Sequence, residues 1–150
     1  MSTSIVKPIQ LRYIADQYIP TGIKQNTFNT LTYMNLNLLL QKLNDSPETV
    51  EFRDTMSVIE AMYEFNPVAF RNGALSNEQG QNSGSCKLFS FAKLHGFTPQ
   101  QTLECFGSYY RDDVLKNPEG ADHQNIRNFM KTGWAGVHFS DNPLMLRHES

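Results

Sequence analysis

A cysteine, a histidine and neighbouring polar groups have the types needed for nucleophilic chemistry. Cys86 follows a Gly-Ser pair and is expected at or near the start of a helix, where exposed N–H groups and the helix dipole lower the pKa of a thiol. His123 or His95 could act as the base. Asp122 or Asn125 could orient the imidazole ring of that histidine. The catalytic candidates are therefore Cys86 and His123. The alternative is that Cys86 is a buried structural residue and His123 belongs to a capping loop.

Two polar stretches could instead form a ligand-binding pocket. Residues 72–85 form a loop rich in Gly, Asn, Gln and Ser, and residues 121–125 read Ala-Asp-His-Gln-Asn. Such a loop either closes tightly on itself or presents backbone N–H groups to a ligand. If the two stretches meet in space, they form one polar pocket for a small ligand or a partner peptide. The candidate ligand-binding residues are Asn72, Gln79, Asn82, Ser85, Lys87, Tyr109, Asp122, His123 and Asn125.

The sequence gives little support to a nucleotide or metal site. The segment 80–87 has the outline of a phosphate-cradling loop, but it lacks the Gly-x-x-x-x-Gly-Lys-Ser/Thr spacing and no clear strand precedes it. The four histidines are scattered, without the spacings typical of zinc ligands. Asp112 and Asp113 could join His123 at a metal, but their spacing is not diagnostic, and the alternative is a local salt-bridge and capping cluster with Arg111. We expect no metal site, and the sequence identifies no cofactor.

Composition limits the class of protein. The chain has 150 residues, of which 39% are hydrophobic and 19% charged, so it is long enough for one domain with a real core. Its formal net charge of −2 argues against non-specific nucleic-acid binding, which needs a basic surface. No apolar run approaches the roughly 20 residues that span a bilayer. No secretory signal peptide is evident. The two cysteines are expected to be free thiols, as in a bacterial cytoplasm.

The elements that must position these residues indicate an α+β fold. We expect about five helices packed on a small sheet, which consists of a short strand near 68–72 and a C-terminal hairpin at 136–147. The second helix is expected to reach Glu64, although residues 58–65 also alternate as a strand would. Ser85 and Asp122 are expected to cap helices. Thr98-Pro99-Gln100-Gln101 has the pattern of a capping box with proline in the first turn.

Residues 1–33 differ from the rest of the chain. They contain no Glu and no His, and they are rich in Ser, Thr, Asn and Gln without a sustained helical period. We interpret them as an N-terminal extension, loosely ordered or outside the main domain, which then comprises residues 34–150. The extension is either a segment without a role in the fold or an export tag.

Several longer segments resemble the HopJ type III effector family over about residues 34–146. The segments that carry the resemblance are 52–56, 70–73, 80–87, 89–96, 105–115 and 122–130. The resemblance implies a protein delivered through bacterial type III secretion, acting on a host or bacterial partner. The family also includes chromosomal proteins of free-living bacteria, so a housekeeping protein without a host target is the alternative. The resemblance implies no particular reaction or cofactor.

Overall fold

The computed structural model describes residues 34–148, and the interpretation of residues 1–33 lies outside that range. Its five α-helices and two small antiparallel sheets confirm the predicted α+β class. A π-helical segment at Tyr109–Val114 and 3₁₀ turns at Pro47–Thr49 and Gly133–Gly136 connect them. The helices are α1 (Leu36–Asp45), α2 (Phe52–Met62), α3 (Ser83–Leu94), α4 (Pro99–Glu104) and α5 (Gln124–Thr132). The strands are β1 (Tyr63–Phe65), β2 (Phe70–Asn72), β3 (Leu75–Asn77), β4 (Val137–Phe139) and β5 (Leu144–Leu146).

Helix α2 ends earlier than its apolar spacing predicts. In its first turn, Asp54 Oδ2 accepts a hydrogen bond from Glu51 N at 2.9 Å. The helix was expected to reach Glu64, but it ends at Met62 and the chain continues directly as β1. Strand β1 pairs with β5. The backbone N–H and C=O groups of residues 63–65 therefore bond to a neighbouring strand instead of to a further turn of the helix. The strand-like alternation in residues 58–65 therefore correctly indicates a strand at its last three positions, Tyr63–Phe65.

The two C-terminal strands form where the sequence places them, but they do not pair with each other. Strand β4 pairs with β2 and β5 pairs with β1, so residues 63–72 and 137–146 run antiparallel along their whole length. Between the paired strands, the carbonyl of Pro143 accepts from Asn66 N at 2.8 Å and the carbonyl of Ala69 accepts from Ser140 N at 2.9 Å. Prolines cannot donate to a ladder, and they divide this ribbon into two short sheets.

Strand β3 was not predicted, because residues 73–85 show no periodicity. It forms a tight hairpin with β2, in which Asn72 is opposite Leu75 and Phe70 is opposite Asn77. Gly73 makes the turn with φ of +60°. The hairpin packs against α5 and buries the side chains of Asn72 and Asn77. Helix α3 then starts at Ser83 rather than Cys86, so the expected cap at Ser85 is wrong and Asn82 occupies that position.

Helix α4 confirms the capping box predicted at Thr98, whose hydroxyl oxygen accepts from Gln101 N at 3.1 Å. The helix that begins there ends at Glu104. Gly107 adopts φ of +63°, and a Cβ on it would lie 2.7 Å from the backbone N of Phe52. This close approach brings the start of α2 against the turn, and the chain resumes as the π-helical segment. Phe89 of α3 lies at the centre of the core between Phe106 and Phe129.

Candidate functional site

A cleft of about 390 Å³ lies where the first turns of α3 and α5 approach the π-helical segment. Part of its wall is apolar, from Phe52, Leu75, Phe106 and Ile126. None of the lining residues is Asp, Glu, Lys or Arg. The polar and mixed part of the wall consists of Asn82, Gly84, Ser85, Tyr109, His123, Gln124 and Asn125.

The first turn of α3 reaches the cleft without a side-chain cap. Asn82 precedes the helix in the left-handed conformation, with φ of 50°, and its side chain makes no capping hydrogen bond. A side-chain cap requires an extended N-cap residue, so this conformation prevents it. The amide Nδ2 of Asn82 instead donates to Asn77 Oδ1 at 2.7 Å. As a result, the N–H groups of residues 83–85 have no hydrogen-bond acceptor within residues 34–148.

Helix α5 starts in the same way. His123 also adopts φ of 50° without capping the helix, and within residues 34–148 it and Asn82 are the two non-glycine residues with positive φ. The N–H groups of residues 124–126 likewise find no acceptor in that range. Non-glycine residues with positive φ are uncommon and concentrate at functional sites. Here both of them precede helices that open on one cleft.

The expected helix cap at Asp122 is wrong. Its carboxylate lies 2.6 Å from Arg127 Nη2, and this hydrogen bond lowers the pKa of Asp122. The Arg127 side chain is largely buried and also donates to the carbonyl oxygens of Asp122 and Asn117, at 2.7 and 2.9 Å. Arg127 thus holds the loop before α5 in shape. His123 follows this loop in its left-handed conformation and lines the cleft.

His123 is paired with a carboxylate, but not with the one expected. Its Nε2 lies 3.0 Å from Asp113 Oδ2 and 3.9 Å from Asp122 Oδ2. The imidazole also packs on Tyr109, with ring centroids 5.2 Å apart. Tyr109 and Asp113 are four residues apart in the π-helical segment, which presents both to His123. π-Helical turns are rare in proteins, and those that occur often lie at functional sites.

A cluster of four asparagines lies behind the cleft and joins its elements. Asn77 and Asn125 exchange side-chain hydrogen bonds of 2.9 and 3.2 Å, and Asn72 Nδ2 donates to the Asn125 carbonyl oxygen at 2.7 Å. Asn82 is the fourth member, through its bond to Asn77. Buried amides are normally paired in this way, although Asn72 Oδ1 is buried without a hydrogen-bond partner in residues 34–148. The cluster therefore links the β2–β3 hairpin to the first turns of α3 and α5.

Five of the nine ligand-binding residues named from the sequence line the cleft: Asn82, Ser85, Tyr109, His123 and Asn125. The remaining four lie elsewhere. Asn72 is buried behind the cleft, and Gln79 is exposed on the loop. Lys87 lies over the ring of Phe65, 4.9 Å from its centroid. Asp122 is exposed on the loop that Arg127 holds. The two stretches that contain these residues thus do meet, although only part of each faces the shared space.

Cys86 lies in the first turns of α3 but does not line the cleft. The residue is 1% exposed, and its Sγ lies 4.0 Å from the carbonyl oxygen of Val68. Burial raises the pKa of Cys86, which is the opposite of the expected activation by the helix N-terminus. Burial likewise raises the pKa of Cys105 to about 12. His95 packs among Phe91 and Phe97 in the core, away from the cleft lining. These positions argue against a thiol nucleophile.

Sequence reasoning missed Phe52, Asn77 and the role of Asp113. Phe52 packs edge-on against Tyr109 at 5.4 Å and lines the cleft, although it is distant from the polar stretches in the chain. Asn77 lies within the loop that was singled out, but its alternation with Leu75 is too short to indicate a strand. Asp113 was considered as a metal ligand or as part of a local cluster with Arg111, and not as the partner that orients His123. In residues 34–148, no group of three His, Cys, Asp or Glu side chains is arranged to hold a metal ion.

Comparison with known proteins gives a consistent assignment. A sequence model of the family described as HopJ type III effector protein matches residues 36–144. A similar solved structure is the crystal structure of a protein of unknown function, VPA0580. The two chains are 48% identical, the match covers 80% of this chain and 100% of that chain, and the TM-score is 0.75. No curated protein matches this chain. Among residues 34–148, no helix is long and apolar enough to cross a membrane.

Proposed function

Because the chain belongs to the HopJ type III effector protein family, we propose that it acts by binding a small ligand in the cleft between α3 and α5. The observation that carries this proposal is the convergence of mixed polar and aromatic side chains on one cleft of about 390 Å³. Small-molecule sites are typically concave, of about 300–1,000 Å³, with an apolar wall and a few convergent polar groups. The volume favours a small molecule over a partner peptide.

The side chains that line the cleft define the kind of ligand it would hold. Phe52, Phe106 and Ile126 offer an apolar wall, and Tyr109 is 42% exposed beside them. Such a wall suits a planar or apolar ring. On the other side, His123 and Asn125 supply polar atoms, and the uncapped N–H groups of the two first turns favour acceptor atoms with negative charge. The proposed ligand is a small ring compound that carries a carboxylate or phosphate-like group.

A titration followed by NMR tests this proposal. The probe is phenyl phosphate, and inorganic phosphate and benzyl alcohol separate the contributions of the anion and the ring. We expect phenyl phosphate to shift the backbone amide signals of residues 83–85 and 124–126 together with the ring signals of Tyr109. Benzoate is the carboxylate probe. Shifts spread over the surface, or none in these two segments with either ring anion, would refute the proposal.

A matched pair of variants adds a sharper comparison. Ser85→Glu places a carboxylate at the third helical position of α3, where negative charge suits the helix dipole, so folding should not suffer. The new side chain would occupy or repel the anion subsite, and we expect binding of phenyl phosphate to be lost. Gln79→Glu adds the same charge on an exposed position of the same loop outside the cleft and should bind as the native protein does. Equal affinities in the two variants would contradict the proposed site.

The pair of His123 with Asp113 favours a second function, proton transfer in the same cleft. A carboxylate 3.0 Å from Nε2 orients an imidazole and selects its tautomer, as in many acid–base sites. A screen of aryl phosphate and aryl ester hydrolysis tests this function. Turnover that Asp113→Asn reduces without changing the affinity for phenyl phosphate would support proton transfer. Turnover that survives in His123→Gln would exclude it.

The family further leads us to propose that the protein is a type III export substrate and that residues 1–33 carry the export signal. The family match starts at residue 36 and leaves this polar segment outside it. A translocation reporter fused to the full chain, to residues 34–150 and to residues 1–33 tests the idea. We expect export of the first and third fusions. Export of the second fusion alone, or a source genome without a type III apparatus, would contradict it and favour a housekeeping role.

A further inference from the structure

We infer that Asn77 is the positioning residue that holds both polar walls of the cleft in place. This inference rests on the proposed function of the cleft. Asn77 does not line the cleft itself and is 3% exposed at the end of β3. Its side chain contacts one lining residue from each wall: Asn82, which precedes α3, and Asn125, in the first turn of α5.

The hydrogen bonds of Asn77 use both ends of its amide. Its Oδ1 accepts from Asn82 Nδ2 at 2.7 Å and from Asn125 Nδ2 at 2.9 Å. Its Nδ2 donates to Asn125 Oδ1 at 3.2 Å and to the Phe70 carbonyl oxygen at 3.4 Å. An amide is the small group that can accept two hydrogen bonds and donate two at once. A carboxylate would keep the acceptor and lose both donors, and an alanine would lose all four bonds.

The bond to Asn82 has a further consequence for the first turn of α3. While Nδ2 of Asn82 donates to Asn77, the Asn82 residue stays in its left-handed conformation and its side chain stays away from the helix N–H groups. Released from Asn77, Asn82 is free to become extended and to cap its own helix, which is the usual behaviour of asparagine at this position. Its side chain would then cover N–H groups of a turn that lines the cleft.

Asn72 provides a matched comparison within the same hairpin. It is fully buried, and its side chain donates to the carbonyl and Oδ1 of Asn125, but no hydrogen bond joins it to Asn82. Asn72→Ala and Asn77→Ala therefore remove buried amides of equal size from neighbouring strands. The first substitution removes hydrogen bonds to one wall of the cleft, and the second removes hydrogen bonds to both walls.

The experiment compares native protein, Asn77→Ala, Asn77→Ser and Asn72→Ala. The first measurement is made without ligand and follows the backbone amide signals of residues 83–85 and 124–126 by NMR. We expect both Asn77 variants to move both sets of signals and Asn72→Ala to move the α5 set alone. Asn77→Ser is the smaller polar change, and it keeps the test available if the alanine variant does not fold. An unmoved α3 set in the Asn77 variants would overturn the inference.

The second measurement is the affinity for phenyl phosphate at a temperature where every variant is folded. We expect about tenfold weaker binding by the Asn77 variants, a loss typical of removing a group that orients binding residues. A lower melting temperature with unchanged affinity would show a merely structural role and would overturn the inference. If the native protein does not bind phenyl phosphate or benzoate, the proposed function fails, while the ligand-free signals still decide whether Asn77 positions both helix starts.

Discussion

Acid should destabilise the fold through His95, which is 5% exposed in an aromatic environment. Its Nε2 lies 2.8 Å from the hydroxyl of Tyr63, and its Nδ1 is buried with no hydrogen-bond partner within residues 34–148. Desolvation by burial lowers the pKa of His95 from 6.5 to about 4. The folded protein therefore resists protonation at a pH where the unfolded chain accepts the proton readily.

The sign and magnitude follow from proton linkage. The stability that neutral His95 contributes is fully present above pH 6.5 and is lost as the pH falls toward about 4. The pKa of His95 differs by about 2.5 between the unfolded and folded states. At about 1.36 kcal/mol per pH unit, this difference corresponds to about 3 kcal/mol of the free energy of unfolding. Roughly 2 kcal/mol of this should be lost between pH 7 and pH 5, before most carboxylates take up protons.

Urea unfolding at pH 7 and pH 5 measures this loss as a change in the free energy of unfolding. His95→Phe removes the titrating ring and keeps an aromatic side chain in the pocket, so its free energy of unfolding should change much less over the same interval. His138→Gln is the control, since it removes an exposed imidazole from β4 and should leave the decline intact. An equal decline in His95→Phe and native protein would show that the reasoning about His95 is incorrect.

Three further predictions follow from the geometry. Gly107→Ala should lower the free energy of unfolding in urea by about 2 kcal/mol or more, because it adds a backbone clash to positive-φ strain. Gly80→Ala has positive φ but open space around it, so it should lower the free energy of unfolding by only about 1 kcal/mol. Equal losses in the two variants would exclude the clash. Thr98→Ala should lower the free energy of unfolding by about 1 kcal/mol through loss of the α4 cap, and an unchanged value would mean that the capping box contributes nothing. Both cysteines should fail to react with a thiol reagent at neutral pH until the protein is unfolded, and fast labelling of native Cys86 would restore it as a nucleophile.

Several features of the fold could be predicted because they depend on neighbouring residues. The capping box at Thr98 is complete within four positions, and its geometry in α4 is the expected one. Leu36, Leu39 and Leu43 of α1 recur at helical spacing, and all three are buried in the core. Local sequence carries such signals because capping and periodicity involve residues one or two turns apart.

The helix starts at the cleft could not be predicted in the same way. Ser85 and Asp122 are good capping residues by type, yet Asn82 and His123 occupy the cap positions in a left-handed conformation. The cause is a side chain other than the capping candidate in each case: Asn77 binds the Asn82 side chain, and Arg127 of α5 binds Asp122 in the loop before His123. Side-chain hydrogen bonds that no capping pattern encodes overrode the local capping preference at both sites.

From the residues alone came the α+β class, the positions of most helices, the family and the two polar stretches that face the cleft. Folding in three dimensions added the long ribbon that pairs residues 63–72 with 137–146, the choice of Asp113 as the partner of His123, and the burial of Cys86 away from the cleft. The difference is one of distance along the chain. Helical periodicity and capping operate within a few residues, whereas strand partners, ion pairs and burial depend on which distant segments come into contact.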